Sequence, residues 1–193
     1  MLEGVVRTLI VAAYAPELGA IAGRAVGIGL VAASAGAVRA LAEERPDRVI
    51  FVGTAGALPG SGLAVGSVVV AARARLIVRP EEYVPSIMAV EVEAPLAEEC
   101  GARLDVPRVT VACGVGITSS DVEAERLGAL AEVEHLESFA VLMAAMEARV
   151  PATAVLAIAN SVGSRAQAEW RANRVGAEAA AMAAVTKLLE LLL

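Results

Sequence analysis

Short β-rich runs alternate with Ala-rich stretches along the whole 193-residue sequence, and this alternation constrains the fold more than any other feature. No linker, repeat or low-complexity block divides the pattern, which is typical of α/β proteins. Apolar residues make up 58% of the chain but aromatic residues only 3%. Ala, Val and Leu must therefore fill the interior, as they do in sheets that helices cover on both faces. We predict one α/β domain over residues 1–193, with a central β-sheet flanked by helices.

The apolar pattern also predicts the individual elements. Strands are expected at 7–13, 27–33, 48–53, 66–78, 108–113 and 153–159. Helices are expected to begin at Pro16, to cover 37–44, to follow a capping box that starts at Ser120, and to cover 137–148 and 165–193. In the last helix, the residues expected to face the core are Trp170, Val175, Met182 and Leu189. Residues 79–93, which include Tyr83, show no sustained period and are predicted to form a loop.

Charge and cysteine usage exclude several classes of function. The net charge is −6 and the Lys and Arg residues are scattered, so no basic stripe is available to bind nucleic acid. The uncharged segment 49–72 is rich in Gly and Pro, which predicts two strands joined by a loop and no membrane partner. Cys100 and Cys113 form no CxxC pair and His135 is the only histidine. We therefore expect buried structural cysteines, no metal site and no cofactor. The start of the chain has no basic leader with a cleavage site, so a cytoplasmic protein is expected.

Five segments combine small and polar residues where a strand passes into a helix, or where a helix begins. Ligands of α/β proteins bind at such carboxyl ends of strands, where backbone N–H groups are free. The segments are 12–17, 34–36, 53–56, 158–163 and the helix start 135–138. None contains a GxGxxG or GxxxxGK[ST] motif, so neither a dinucleotide nor a nucleoside triphosphate site is indicated.

Two of these segments belong to longer blocks with a family resemblance. Pro46 and Asp47 lead through Gly53-Thr-Ala-Gly56 to a β-rich run in which Ser67 stands where Asp is usual. This block resembles the "PD…GTAG…GD-V" pattern of the nucleoside phosphorylase and nucleosidase superfamily. The stretch Val133-Glu-His-Leu-Glu-Ser138 is similar to that family's "VEMEG" helix start. The resemblance implies a three-layer sandwich around a mixed central sheet.

A third segment resembles the futalosine hydrolase branch of this superfamily. It consists of Asn160-Ser-Val-Gly-Ser-Arg165 followed by Trp170, and the branch's corresponding loop has the pattern "SN…G.R….W". Adenine-specific nucleosidases carry Asp at the position of Asn160. A neutral amide offers one donor and one acceptor, which suit the O6 and N7–H of a 6-oxopurine. The resemblance therefore implies hydrolysis of futalosine, with release of hypoxanthine, in menaquinone biosynthesis.

The resemblance and the chemistry of N-riboside cleavage together suggest roles for individual residues. Glu137 is expected to hold the ribose hydroxyls close to the developing positive charge, Glu17 to position or deprotonate water, and Asn160 to contact the purine. The residues expected to bind substrate are Thr54, Ala55, Gly56, Ile117, Thr118, Ser119, Leu136, Arg165 and Trp170. Tyr83, Phe139 and Trp170 are the aromatic candidates for stacking on the base. His135 is expected to be a bystander.

Each catalytic candidate also has a plain structural interpretation. Glu17 and Glu137 suit the acidic start of a helix, and Asn160 suits the turn before Gly163. These interpretations stay open at the level of sequence.

The sequence also leaves alternatives of function open. The first loop contains no arginine for a phosphate, which favours water as the nucleophile, although Arg39 or a second subunit could supply one. The enzyme alternatives are a methylthioadenosine/adenosylhomocysteine nucleosidase and a purine nucleoside phosphorylase. A non-catalytic nucleoside-binding paralogue is the alternative of another class, because Leu156 and Ala159 replace the Arg and Ser usual in the family. A purine nucleoside is the expected small-molecule partner, and a homodimer or higher homo-oligomer is the expected assembly.

Overall fold

The computed structural model describes residues 6–78 and 91–192. Within these residues, eight strands form one mixed sheet: β1 (Thr8–Ala12), β2 (Arg24–Ala25), β3 (Arg48–Ala57), β4 (Val68–Leu76), β5 (Glu91–Glu93), β6 (Arg108–Cys113), β7 (Val133–Glu134) and β8 (Ala152–Ser161). The same residues contain five α-helices: α1 (Leu30–Glu44), α2 (Ala97–Leu104), α3 (Asp121–Gly128), α4 (Ser138–Glu147) and α5 (Ala166–Leu191). The predicted α/β class with a mixed sheet flanked by helices is confirmed.

The centre of the sheet closes on itself. β3 pairs with β8, β8 with β4, β4 with β6, β6 with β7, and β7 again with β3. β1 and β2 extend the sheet beyond β3, and β5 extends it beyond β4. Because β3 and β8 are buried along nearly their whole length, they require near-continuous runs of small and apolar residues. Those runs are what made these two strands predictable.

Helices pack on both sides of these central strands. α5 contacts β8 and β3, and α4 packs against α1 and the central sheet. Glu178 and five apolar residues of α5 are buried: Ala166, Ala177, Ala181, Val185 and Leu188. Val175 is 70% exposed, so its predicted position in the core is wrong. No helix within residues 6–78 or 91–192 is both long enough and apolar enough to cross a membrane.

The predicted strand at 27–33 is wrong, because most of it belongs to a helix. Gly27 and Gly29 both have positive φ and form the turn that leads into α1 at Leu30. A short apolar run does not distinguish a strand from a buried helix start by periodicity alone. The helix predicted at Pro16 is also reduced, to a four-residue 3-10 helix, Ala15–Leu18.

The predicted loop at 79–93 ends in β5, which pairs antiparallel with β4. The rest of that prediction, including Tyr83, lies outside the described residues. Neither α2 nor the two-residue β7 was predicted as an element. By contrast, the capping box that predicts α3 is confirmed, since the Ser120 side chain accepts the Glu123 N–H at 3.4 Å.

Candidate active site

A cavity of about 450 Å³ opens where β1, β3 and β8 end and where α4 begins. Nine of the predicted site residues line it: Glu17, Thr54, Ala55, Gly56, Ile117, Leu136, Glu137, Asn160 and Trp170. The predicted residues Thr118, Ser119 and Arg165 are not in the lining. The fold thus brings together side chains from five separate parts of the sequence, because parallel strands place their carboxyl ends at one edge.

Glu17 enters the cavity from the 3-10 helix that follows β1. Its carboxylate accepts the backbone N–H of Ala13 at 3.2 Å, and the side chain is almost fully buried. Burial, reinforced by the nearby Glu137 charge, raises the pKa of Glu17 to about 8, although hydrogen bonds from Ala13 and Thr54 oppose the shift. A carboxyl group in this state can exchange a proton near neutral pH.

Glu137 lies at the start of α4, and its carboxylate reaches the start of α1. Its Oε1 accepts the N–H of Gly29, the residue that caps α1, at 2.6 Å. The positive end of a helix favours an anion at this position. Since Glu137 is only 4% exposed, its carboxylate is held in one place before any substrate arrives.

His135 packs directly against Glu137. The ring Nε2 lies 3.4 Å from Glu137 Oε2, and the ring meets Phe51 edge-on. Burial lowers the pKa of His135, although the Glu137 charge opposes the shift. His135 is therefore neutral at physiological pH.

Gly53 leaves room beside β3 for the side chains of Glu17 and His135. A Cβ at Gly53 would come within 3.3 Å of both Glu17 Oε1 and His135 Nε2, and within 2.9 Å of the Phe51 ring. The glycine of the GTAG segment therefore allows an acid and the histidine to approach the same strand closely.

A β-bulge directs Asn160 into the cavity. Ala55 pairs with Ile158 but Gly56 pairs with Asn160, so Ala159 is an extra residue in β8. The extra residue moves Asn160 to the face that carries Thr54 and Gly56. A Cβ at Gly56 would lie 2.9 Å from the Asn160 amide nitrogen, so this position also needs glycine.

The Asn160 amide has spare hydrogen-bonding capacity. Its Nδ2 donates to the backbone carbonyl of Ser161 at 2.9 Å. A carboxamide has two N–H donors and an acceptor oxygen, so one donor and the oxygen have no partner in this bond. These two groups can serve a ligand.

Trp170 and Arg174, both from α5, also line the cavity. Trp170 Nε1 donates to Thr54 Oγ1 at 3.3 Å, and the Arg174 guanidinium lies 5.2 Å from the Trp170 ring centre. Arg174 also lies 3.9 Å from Glu178, which accepts a hydrogen bond from the Tyr14 hydroxyl. The spacing of Arg174 four residues after Trp170 places both on one helix face, a signal that could have identified it.

The three predicted residues outside the lining have other surroundings. Thr118 donates through its N–H and its hydroxyl to Glu134, whose own side chain lines the cavity. Burial raises the pKa of Glu134, although these Thr118 bonds oppose the shift. Ser119 is exposed, and Arg165 is exposed and pairs with Glu169 at 3.4 Å.

A match to a known family accompanies this geometry. The family model described as the phosphorylase superfamily matches residues 11–193. The chain belongs to the phosphorylase superfamily. The resemblance inferred from the GTAG and helix-start segments is thereby confirmed. No curated protein sequence matches the chain.

Solved structures with the same fold align with nearly the whole chain. The 5′-methylthioadenosine/S-adenosylhomocysteine nucleosidase of Helicobacter pylori has a TM-score of 0.84 at 14% identity, covering 97% of this chain and 99% of that one. Futalosine hydrolase of the same organism has a TM-score of 0.83 at 15% identity, covering 96% and 98%. S-adenosylhomocysteine nucleosidase of Streptococcus pyogenes has a TM-score of 0.84 at 18% identity, covering 99% of both chains. At these identities the likeness concerns the fold.

In this superfamily member, two of the positions that depart from the expected pattern are buried in the core. Leu156 and Ala159 are both fully inaccessible to solvent, and neither lines the cavity. Arg39 is exposed on α1 and is likewise absent from the lining. Among residues 6–78 and 91–192, no group of three or more His, Cys, Asp or Glu side chains is arranged to hold a metal ion.

Proposed function

We propose that this protein is a nucleosidase that hydrolyses the N-ribosidic bond of a 6-oxopurine nucleoside, with futalosine as its substrate in menaquinone biosynthesis. One observation supports the proposal most strongly: two buried acids, Glu17 and Glu137, share a cavity with the neutral amide of Asn160. Cleavage of an N-riboside builds positive charge on the sugar and negative charge on the base. The reaction therefore needs acids near the sugar and hydrogen-bonding groups near the base.

Glu137 has the properties required of the sugar-binding acid. Its carboxylate is fixed by the Gly29 N–H and is shielded from water. In this role it accepts hydrogen bonds from the ribose hydroxyls, and its charge stabilises the cationic sugar in the transition state. A group that is already in place does not have to reorganise during the reaction, which makes its stabilisation more effective.

Glu17 has the properties required of the base that activates water. With a pKa of about 8, a fraction of its carboxyl groups is ionised at neutral pH. The ionised group takes a proton from water as the water oxygen attacks C1′. The N9–C1′ bond breaks and its electron pair leaves with the purine. The purine takes a proton from a solvent water, and the hydroxide that remains recovers the proton held by Glu17.

Asn160 has the properties required of the group that recognises the base. Its remaining N–H donor and its oxygen acceptor match the O6 acceptor and the N7–H donor of hypoxanthine. This match is the argument for a 6-oxopurine, and the resemblance of the 160–170 segment to futalosine hydrolase is the argument for futalosine.

The charges around the cavity favour water over phosphate as the nucleophile. Arg174 is the only Lys or Arg in the described lining, and it lies beside Glu178 and the Trp170 ring. The other groups of that lining that can carry a charge near neutral pH are the carboxyl groups of Glu17, Glu134 and Glu137. Such a surface disfavours a free phosphate dianion next to the sugar.

A homodimer is part of the proposal. Ile28 and Ile117 line the cavity yet are 67% and 55% exposed, and Val31 and Val115 are 81% and 89% exposed. A second subunit that covered this rim would bury apolar surface and enclose the substrate. Sedimentation of the untagged chain at the mass of one subunit would contradict the dimer.

The direct test is base release in phosphate-free buffer. Futalosine and inosine are supplied separately, and hypoxanthine is measured with and without added phosphate. We expect hypoxanthine from futalosine at a rate that phosphate does not change. Strict dependence on phosphate would instead assign a phosphorylase.

Two further outcomes distinguish the alternatives. Release of adenine from methylthioadenosine, with no hypoxanthine from futalosine, would assign an adenine nucleosidase. Thermal stabilisation by a nucleoside without any turnover would assign a nucleoside-binding protein.

A further inference from the structure

The His135 ring makes two different sets of contacts through its two nitrogens. Nδ1 lies 3.2 Å from the backbone nitrogen of Glu137 and 3.1 Å from that of Ser138. Both of these N–H groups donate, so Nδ1 must be the nitrogen that carries the lone pair. In a neutral ring the proton is then on Nε2, which lies 3.4 Å from Glu137 Oε2.

Because of this arrangement, His135 acts on the first turn of α4 and on the Glu137 carboxylate at the same time. The first N–H groups of a helix have no partner within the helix, and Nδ1 supplies one for Glu137 and Ser138. The opposite edge of the ring presents an N–H dipole to the carboxylate. Gly29 thus donates to one oxygen of Glu137, and His135 Nε2 faces the other oxygen at 3.4 Å.

The surroundings keep the ring in this single orientation. The ring is 6% exposed, meets Phe51 edge-on and lies beside the open position at Gly53. The Ser138 hydroxyl is a further neighbour, 3.0 Å from Nδ1. Burial lowers the pKa of His135, so the ring stays neutral where the nucleosidase would operate.

We propose that His135 is a positioning residue for the reaction, which holds the Glu137 carboxylate against the ribose hydroxyls through its Nε2–H. This inference rests on the proposed function, because it assigns the sugar to Glu137. Polar contacts of this kind are often long without substrate and shorten when it binds.

Two substitutions separate the roles of the two nitrogens. In His135→Asn, the amide oxygen can take the place of Nδ1, but nothing takes the place of Nε2. In His135→Gln, the amide nitrogen can take the place of Nε2, but the partner of the α4 N–H groups is lost. The first variant keeps the helix cap and the second keeps the donor to Glu137.

Kinetics with two substrates measures the positioning role. Inosine carries both ribose hydroxyls, and 2′,3′-dideoxyinosine lacks them. For His135→Asn we expect kcat/KM for inosine to fall by about tenfold, a size typical of a lost charge-assisted hydrogen bond. The dideoxy substrate should lose much less than inosine does, since it makes no hydrogen bond to Glu137. Equal losses on both substrates would overturn the positioning role.

Thermal unfolding measures the capping role separately. We expect His135→Gln to lower Tm by about 2–4 °C, as expected for the loss of a helix cap in a chain of this size, and to keep most of the activity. His135→Asn should unfold at the wild-type temperature. A lower Tm for His135→Asn with a normal His135→Gln would reverse the assignment of the two nitrogens.

NMR of the single histidine tests the geometry without any substrate. His135 is the only histidine of the untagged chain, so its ring nitrogens give one unambiguous set of signals. We expect the proton on Nε2, a ring pKa below the usual range of histidine because the ring is buried, and a changed Nε2 signal in Glu137→Gln. A proton on Nδ1, or an Nε2 signal that ignores Glu137→Gln, would refute the contact. If no nucleoside is cleaved, the proposed function fails while this measurement still decides the contact.

Discussion

The two walls of the cavity differ in how firmly they hold their polar groups. On the acid side, formed by Glu17, His135 and Glu137, every ionisable side chain is at most 6% exposed, and backbone N–H groups contact all three. On the amide side, formed by Thr54, Asn160 and Trp170, single hydrogen bonds orient the side chains, and Trp170 is only half-buried. Rigid burial suits groups that stabilise charge, whereas single bonds suit groups that select a substrate. We therefore expect changes on the acid side to alter rate and changes on the amide side to alter preference.

The largest effect is expected on the acid side. Glu137→Ala should lower kcat/KM for the nucleoside by roughly two to three orders of magnitude, because it removes a fixed charge next to the cationic sugar. Hypoxanthine release measures the loss, and circular dichroism and Tm measure the fold. Glu147→Ala, on the exposed end of the same helix, is the matched control and should keep full activity. Undiminished turnover by Glu137→Ala would remove Glu137 from the mechanism.

A second prediction concerns the stability of the acid side. The pKa of Glu17 is about 8 in the folded protein and about 4.5 when unfolded, so the folded protein binds the extra proton between these values. Stability is therefore greatest below pH 4.5 for this group and falls as pH rises toward 8, by at most about 1.4 kcal/mol per pH unit.

Glu17→Gln cannot titrate and should lack this decline. We expect the Tm of the variant, relative to wild type, to rise by at least about 4 °C between pH 5 and pH 8.5. Parallel Tm curves over that interval would show that Glu17 ionises normally in the folded protein.

The smallest effect is expected on the amide side. Asn160→Asp should shift the ratio of kcat/KM for adenine nucleosides over 6-oxopurine nucleosides by about tenfold, since a carboxyl group suits protonation at N7 of a 6-aminopurine. Competition between methylthioadenosine and inosine measures the ratio. Ser161→Ala, at the exposed neighbouring position, is the control. If both variants leave the ranking of substrates unchanged, Asn160 does not select the base.

The same contrast explains which parts of the molecule could be predicted from sequence. The buried strands β3 and β8 and the helices α4 and α5 carry their own patterns of apolar residues, so local periodicity was enough. The position of Glu137 and Glu17 at one cavity followed from the segments that resemble the superfamily. These features depend on short stretches of sequence.

The missed features depend on contacts between distant parts of the chain. The two residues of β7 form a strand only because β3 and β6 lie on either side. Ile28 could not be placed at the cavity while 27–33 was predicted as a strand. The contacts of His135 with the N–H groups and the carboxylate of the next turn are likewise visible only in three dimensions.

The closed ring of strands affects the order in which the protein folds and the stage at which its cavity forms. One of the long-range contacts that close the ring joins Gly56 to Glu134, and both residues line the cavity. Closing so long a loop costs chain entropy before the pairing can repay it, so such contacts form late. During refolding, catalytic competence should therefore appear with the slowest phase, after most of the helical signal has returned.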